Sequence, residues 1–280
     1  MFSLSLVAFA IISCGGDTTE TNTKTVGKNS NVAPGLETNT SSESSAAKDN
    51  IFRLNFSDPP TFDPALVTDT TSASIIVEIF SGLVTLNKEL DIIPDLAESW
   101  DISDDGRIYT FNLRDDIKFS NGDKVTASDF KWSIERAANP DTGSMNAEVY
   151  LGDIVGVTEV IEAGGSLTEV SGLKVIDDKT LEITIDEPKT YFLAKLTYPT
   201  AFVLSEKYVT QQGEDWIDQP VGTGPFVMTE YQIGQTLKLK PNDNYWGEKA
   251  KVDGIIMNFC LLYTSPSPRD LSTSRMPSSA

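Results

Sequence analysis

Three stretches of this chain pair a turn with apolar residues at every second position, and this pattern most narrows what the chain can fold into. In residues 99–114, Asp104-Asp105-Gly106 supplies turn chemistry. Tyr109, Phe111 and Leu113 then alternate with Thr110, Asn112 and Arg114. A period of two puts apolar side chains on one face of a strand and polar ones on the other. Residues 173–186 repeat the signature, with Asp177-Asp178 separating Leu173 and Val175 from Leu181, Ile183 and Ile185. Residues 226–240 carry it a third time, around Gln232-Ile233-Gly234. Each stretch predicts a β-hairpin.

Helical spacing interleaves with these hairpins. Residues 51–56, IFRLNF, predict a half-buried strand that Asp58-Pro59-Pro60 ends, because proline cannot donate to a ladder. Residues 71–80 place Ile75, Ile76, Ile79 and Phe80 at helical spacing, with Gly82 as the expected stop. Ser120-Asn121-Gly122-Asp123 predicts a turn. Thr126-Ala127-Ser128-Asp129 can cap a helix that carries Phe130, Ile134 and Ala137 on one face and stops near Asn139-Pro140. Pro188 ends the second hairpin; residues 201–204 are expected as a short buried strand and residues 206–212 as a short helix. Trp100, Trp132, Tyr245 and Trp246 are expected to pack rather than to stack on a ligand. Without strict βαβ regularity and without a solenoid repeat, the class is α/β with mixed α+β sheets.

Composition excludes several functions. Acidic residues outnumber basic ones 41 to 22, for a net charge of −19. Phosphate backbones need clustered Lys and Arg, so nucleic acid is not an expected partner. The acidity reads as a solvated exterior, with attraction of cationic solutes as a secondary possibility. The chain has no histidine, which removes the usual general base near neutral pH and the commonest transition-metal ligand. A Ser-His-Asp hydrolase cannot be assembled from it. Gly222-Thr223-Gly224 lacks the Gly-Lys-Ser/Thr ending of a phosphate loop. No cofactor, metal or catalytic residue is expected.

Both ends differ from the body. Residues 4–12, LSLVAFAII, are apolar but too short to span a bilayer as a helix. They lead into Ile11-Ile12-Ser13-Cys14, which resembles a lipobox. Residues 1–13 are therefore expected as a lipoprotein signal peptide, and Cys14 as the lipidation site. Met1–Ser13 contains no Lys or Arg, so the true start is expected upstream of Met1. Residues 14–49 are rich in Thr, Ser, Asn and acidic residues and are expected to be a disordered tether. The tail, residues 260–280, reads CLLYTSPSPRDLSTSRMPSSA and is similar to translated sequencing-adapter read-through. It is expected to be non-native, which leaves Cys14 as the native cysteine.

Three segments carry a family resemblance in the right order: PPTFDPALVTDTTSASIIVEIFSGLVTL at 59–86, PDLAESWDISDDGRIYTFNLRDDIKFSNGDKVTASDFKWSIER at 94–136 and VGTGPFVMTEYQIGQTLKLKPNDNYWG at 221–247. They resemble the family 5 extracellular solute-binding proteins, the peptide- and nickel-binding receptors of ABC importers, over about residues 51–259. The resemblance implies a periplasmic-binding-protein-like type II fold, in which two lobes close on a solute and no covalent chemistry occurs. Residues 51–80 and 205–259 would be an incomplete first lobe, and residues 81–204 a subdomain inserted into it. The chain would then be an N-terminal fragment carrying one wall of the site.

On this resemblance the loop Thr68, Asp69 and Thr70 matches a first-lobe wall that reads a peptide main chain. Asn146 falls where some members place a contacting aromatic. Thr223 and Gly224 are candidate cleft residues, since glycine permits close backbone approach. The implied cargo is a peptide; nickel complexes, oligosaccharides or opines are rivals within the class. The implied partners are the permease and ATPase subunits of an ABC importer. The membrane is reached through the lipid anchor alone, on the outer face, and the receptor is expected to be a monomer. A surface signalling receptor or adhesin on the same fold is the rival from another class.

Overall fold

The computed structural model describes residues 49–259. The expected signal peptide over 1–13, Cys14, the tether 14–49 apart from Asp49, and the tail 260–280 lie outside the described residues.

Strand β1 (Ile51–Phe56) opens the described fold and stops before Asp58-Pro59-Pro60. A single 3-10 turn, Pro64–Leu66, follows; the Asp63 carboxylate caps it by accepting the Ala65 N–H at 2.9 Å. Helix α1 (Thr70–Ile79) starts at Asp69, whose Oδ1 accepts the Ser72 N–H at 2.8 Å. This satisfies one of the amide donors that every helix start leaves open. The helix ends at Phe80, two residues before the expected Gly82 stop, because the chain turns extended there. Gly82 serves a different need: a Cβ on it would lie 3.0 Å from the Phe202 ring.

Strands β2 (Val84–Leu86) and β3 (Ile92–Pro94) form a small antiparallel pair. Then come β4 (Ala97–Ile102), β5 (Ile108–Leu113), α2 (Ala127–Ala138), α3 (Ala147–Leu151), α4 (Val157–Glu162), β6 (Leu173–Asp177), β7 (Thr180–Thr184) and α5 (Phe192–Lys195). The first two predicted hairpins merge into one antiparallel sheet of order β4-β5-β7-β6. Tyr109, Phe111, Leu113, Leu181 and Ile183 are buried on one of its faces, while Thr110, Asn112 and Glu182 stay partly open on the other. Helix α2 packs its Phe130, Ile134 and Ala137 into this core. Its start is fixed by Asp129, whose carboxylate accepts the Thr126 N–H at 2.9 Å.

Residues 201–204 do not form the expected strand. Ala201 closes a 3-10 turn, Pro199–Ala201, and residues 202–204 run extended and buried without a strand partner. Their amides are satisfied singly instead: Val203 N–H by the Ser81 carbonyl and Leu204 N–H by Ser133 Oγ. Such a segment reads as a strand in sequence because apolar runs look alike whether or not a ladder forms.

Helix α6 (Glu206–Gln212) precedes β8 (Phe226–Gln232), β9 (Thr236–Pro241) and β10 (Gly254–Phe259). The third predicted hairpin is β8–β9. Its sheet has the order β1-β10-β9-β8, and β1 runs parallel to β10 with Ile51 opposite Gly254 and Phe56 opposite Phe259. The chain thus leaves this sheet after β1, re-enters it at the far edge with β8, and reaches the neighbour of β1 only at β10. Its core holds Phe62, Ile75, Ile76, Ile79, Leu237, Leu239, Met257 and Phe259. The described residues thus form two cores, and α2 touches both: Phe130 and Ile134 enter one, and Trp132 packs against the other.

Candidate functional site

The loop between the 3-10 turn and α1 presents open backbone to solvent. Val67 and Asp69 have extended dihedrals, with φ/ψ of −68°/123° and −129°/157°. Thr68 is exposed, and neither its N–H, its carbonyl nor the Asp69 N–H has an internal partner among the described residues. An extended segment with unpaired N–H and C=O groups is a template on which another extended chain can pair.

The loop is fixed from behind. Val67's carbonyl accepts from Asn146 Nδ2 and from the Tyr198 hydroxyl at 3.3 Å. Ser144 Oγ donates to the Ala65 carbonyl at 2.6 Å. Deeper down, Arg136 grips Asp63 with two nitrogens, at 3.1 Å and 2.6 Å. The Asp63 side chain is 3% exposed, so this fork-to-fork pair anchors the whole segment in a desolvated place. Tyr198 stacks on Tyr150 with ring centroids 3.7 Å apart and planes 4° from parallel. Burial, then the neighbouring Tyr150 and Asp69, pushes the Tyr198 hydroxyl above its ordinary value, so it stays protonated and can donate. Asp69 Oδ2 is buried beside this group without a hydrogen-bond partner.

The structure brings Thr68, Asp69, Thr70 and Asn146 together. Asn146 serves the loop directly, because its amide is committed to the Val67 carbonyl and, at 3.3 Å, to the Tyr198 oxygen. Tyr150 and Tyr198 were not legible as site residues: they lie in stretches with no motif, and only the fold stacks them. Arg136 was equally silent, being one charged residue on a helix read for its apolar face.

Thr223 and Gly224 sit at the other end of α1, about 15 Å away along ten residues of helix. Thr223 is 1% exposed, and its Oγ1 accepts the Ser81 N–H at 3.1 Å. Gly224 donates its N–H to the Ile79 carbonyl at 2.8 Å, and its carbonyl accepts from Asn242 Nδ2 at 2.8 Å. A Cβ would lie 2.6 Å from the Glu78 carbonyl on Gly224 and 2.0 Å from the Ile79 carbonyl on Gly222. The glycines thus permit close approach, and what approaches is the last turn of α1.

Among the described residues, no group of three or more His, Cys, Asp or Glu side chains could hold a metal ion. No described helix is long and apolar enough to cross a membrane.

The fold is mixed, with one sheet in which β1 pairs in parallel with β10 and a second set of elements inserted in the chain between them. Comparison with known proteins places it further. Residues 91–266 match the model of the bacterial extracellular solute-binding proteins, family 5 (middle region), and the chain belongs to that family. It is 33% identical over 202 residues to the probable deoxycholate-binding periplasmic protein YgiS of Escherichia coli, covering 71% of this chain and 38% of that protein. It is 33% identical over 205 residues to the dipeptide-binding protein DppE of Bacillus subtilis, covering 72% of this chain and 37% of that protein. The substrate-binding domain of an oligopeptide ABC transporter from Bacillus anthracis superposes with a TM-score of 0.72 at 36% identity, over 76% of this chain and 42% of that one. The chain therefore spans well under half the length of these relatives, and it shares their periplasmic-binding-protein-like fold.

Proposed function

We propose that this chain carries the first-lobe wall of a peptide-binding receptor that serves an ABC importer. The observation behind this reading is the free N–H and carbonyl of Thr68 and the free N–H of Asp69, on a loop held by Asn146, Tyr198 and the Asp63–Arg136 pair. Such a surface recognises a peptide through its backbone and tolerates many side chains. The names of the dipeptide- and oligopeptide-binding relatives point the same way. The two cores support residues 51–80 and 205–259 as the first lobe and residues 81–204 as the inserted subdomain, with the boundary blurred by Phe202 and Leu204, which pack in the first-lobe core, and by Ala65, Val221 and Trp246, which pack with the other. In this reading Cys14 bears the lipid anchor on the outer face of the membrane. The receptor hands cargo to permease and ATPase subunits, works as a monomer and performs no covalent chemistry.

A deoxycholate-like cargo, as in the name of the Escherichia coli relative, is the comparator. It lacks a peptide main chain, so its carboxylate and hydroxyls cannot pair along an extended segment as a second strand does. The test is amide chemical-shift mapping of the 280-residue chain with tri- to pentapeptides and, separately, with deoxycholate. One wall alone binds weakly, so calorimetry of this chain is expected to show no micromolar peptide affinity. Shifts centred on Thr68, Asp69 and Thr70 with peptide alone support the reading. Shifts there with deoxycholate alone, or peptide shifts scattered elsewhere, overturn it.

A further inference from the structure

The carboxylate that starts the binding loop leads back, through one guanidinium, to a tryptophan far downstream in the chain. Asp63 does two things at once. Its Oδ1 accepts the Ala65 N–H at 2.9 Å, which caps the turn Pro64–Leu66. Its two oxygens also take both terminal nitrogens of Arg136, at 3.1 Å and 2.6 Å. The Arg136 guanidinium in turn lies over the Trp216 ring, with its central carbon 5.4 Å from the ring centre. Trp216 is 5% exposed, in the 3-10 stretch Gly213–Asp218, and shares a core with Phe62, the chain neighbour of Asp63. That stretch is tied down as well, since the Tyr208 hydroxyl of α6 donates to the Gln219 carbonyl at 2.8 Å. Core packing accounts for the burial of Trp216. It does not account for a cation over the ring that is already bound to the carboxylate at the start of the loop.

We propose that Trp216 is a positioning residue for the Thr68–Thr70 wall, acting through Arg136 and Asp63. A two-bond fork fixes the guanidinium within its own plane. It leaves the pair free to rock about the line through the two bonded oxygens. An aromatic face over the cation opposes that rocking, and the attraction is stronger where water is kept out. The Arg136 and Asp63 side chains are both largely buried, so the contact lies in such a place. Because the same carboxylate caps the turn, a rocking Arg136 carries Asp63 with it and loosens the bond from the Ala65 N–H. The turn then passes the disturbance to Val67 and Thr68. Lysine in place of Arg136 keeps the charge but loses both the fork and the flat face that Trp216 meets. The bearing of Trp216 on peptide capture rests on the peptide-binding reading; its hold on the loop does not.

The experiment is amide hydrogen exchange by NMR on the free 280-residue chain. It compares the native sequence, Trp216→Phe, Trp216→Leu, Arg136→Lys and the Trp216→Leu/Arg136→Lys pair. The Ala65 N–H reports the Asp63 cap, and the Thr184 N–H, bonded to the Gly172 carbonyl at 2.8 Å, is the control in the other sheet. Trp216→Leu is expected to speed Ala65 exchange about five- to tenfold over the control and to move the Thr68–Thr70 amide shifts. Trp216→Phe keeps an aromatic face and should stay within about twofold of native. In the Arg136→Lys background the leucine change should add nothing, because the route through the fork is already cut. Equal acceleration of Ala65 and Thr184, equal effects of phenylalanine and leucine, or a leucine effect that adds in full on the lysine background each overturn the proposal. Should Trp216→Leu fail to fold, the native chain and Trp216→Phe decide through the Arg136 guanidinium. Its N–H resonances should carry a ring-current displacement in the native chain that changes with phenylalanine, and an undisplaced guanidinium overturns the proposal. These readings need no peptide, so additive exchange effects leave the binding reading intact, and absent peptide shifts leave this inference intact.

Discussion

At its first turn α1 leaves the Thr68 N–H and carbonyl and the Asp69 N–H open to solvent. At its last turn the Ile79 carbonyl is taken by Gly224 and the Ser81 N–H by Thr223. Both ends are met by a loop from a distant part of the chain, but the contacts run in opposite senses. At the amino end, Asn146, Tyr198 and Arg136 reach in with side chains and hold the segment from one side only. At the carboxy end, Gly222 and Gly224 bring backbone against backbone on the remaining side too. A recognition surface needs a rigid back and a free front; a structural joint needs neither side free. The identity of the approaching residues decides which of the two results, because side chains can hold at a distance and glycines cannot.

The largest expected effect lies at the closed end. Gly222→Ala places a Cβ 2.0 Å from the Ile79 carbonyl oxygen, and backbone cannot yield as a flexible side chain would. Overpacking of this kind is expected to cost about 3 kcal/mol or more. Urea unfolding midpoints measure it, and a loss under about 1 kcal/mol would show that the end of α1 is looser than its contacts imply. At the open end, Asn146→Ala removes one of the two donors on the Val67 carbonyl. A loss of about 1–2 kcal/mol is expected, together with faster proteolytic cutting near residue 68. An unchanged cutting rate would mean that Tyr198 alone fixes the loop.

This contrast also explains what the sequence could and could not reveal. The hairpins at 99–114, 173–186 and 226–240 were legible because alternation is local, and each maps onto adjacent antiparallel strands or a shared sheet. The sheet partner of β1 was not, since it lies some 200 residues downstream and no local pattern records a parallel pairing. The Thr68–Thr70 loop became visible through the family resemblance of residues 59–86, and the Asp69 cap conforms to ordinary helix-start chemistry. The residues that hold the loop were silent. Tyr150 and Tyr198 are 48 positions apart, and nothing in their neighbourhoods marks a stacked pair. Gly224 stands out in the sequence as a place of close backbone approach, while the object approached, the last turn of α1, is known only once α1 is in place.

The smallest stability effect and the sharpest functional one are expected at the same residue. Thr68→Ala removes an exposed side chain that makes no internal hydrogen bond, so stability should stay within about 0.5 kcal/mol of the native chain. If the loop reads a peptide through its main chain, peptide-induced shifts at residues 68–70 should also survive. Thr68→Pro is the informative partner. The preceding Val67 is already extended, which is the conformation a following proline demands. The lost N–H had no internal partner, so folding should tolerate the change. Peptide shifts should then vanish although the side-chain variant kept them. Should alanine abolish the shifts and proline preserve them, the threonine hydroxyl would be the recognition group. The open end of α1 would then be a side-chain site, built on the same terms as the closed end rather than opposed to it.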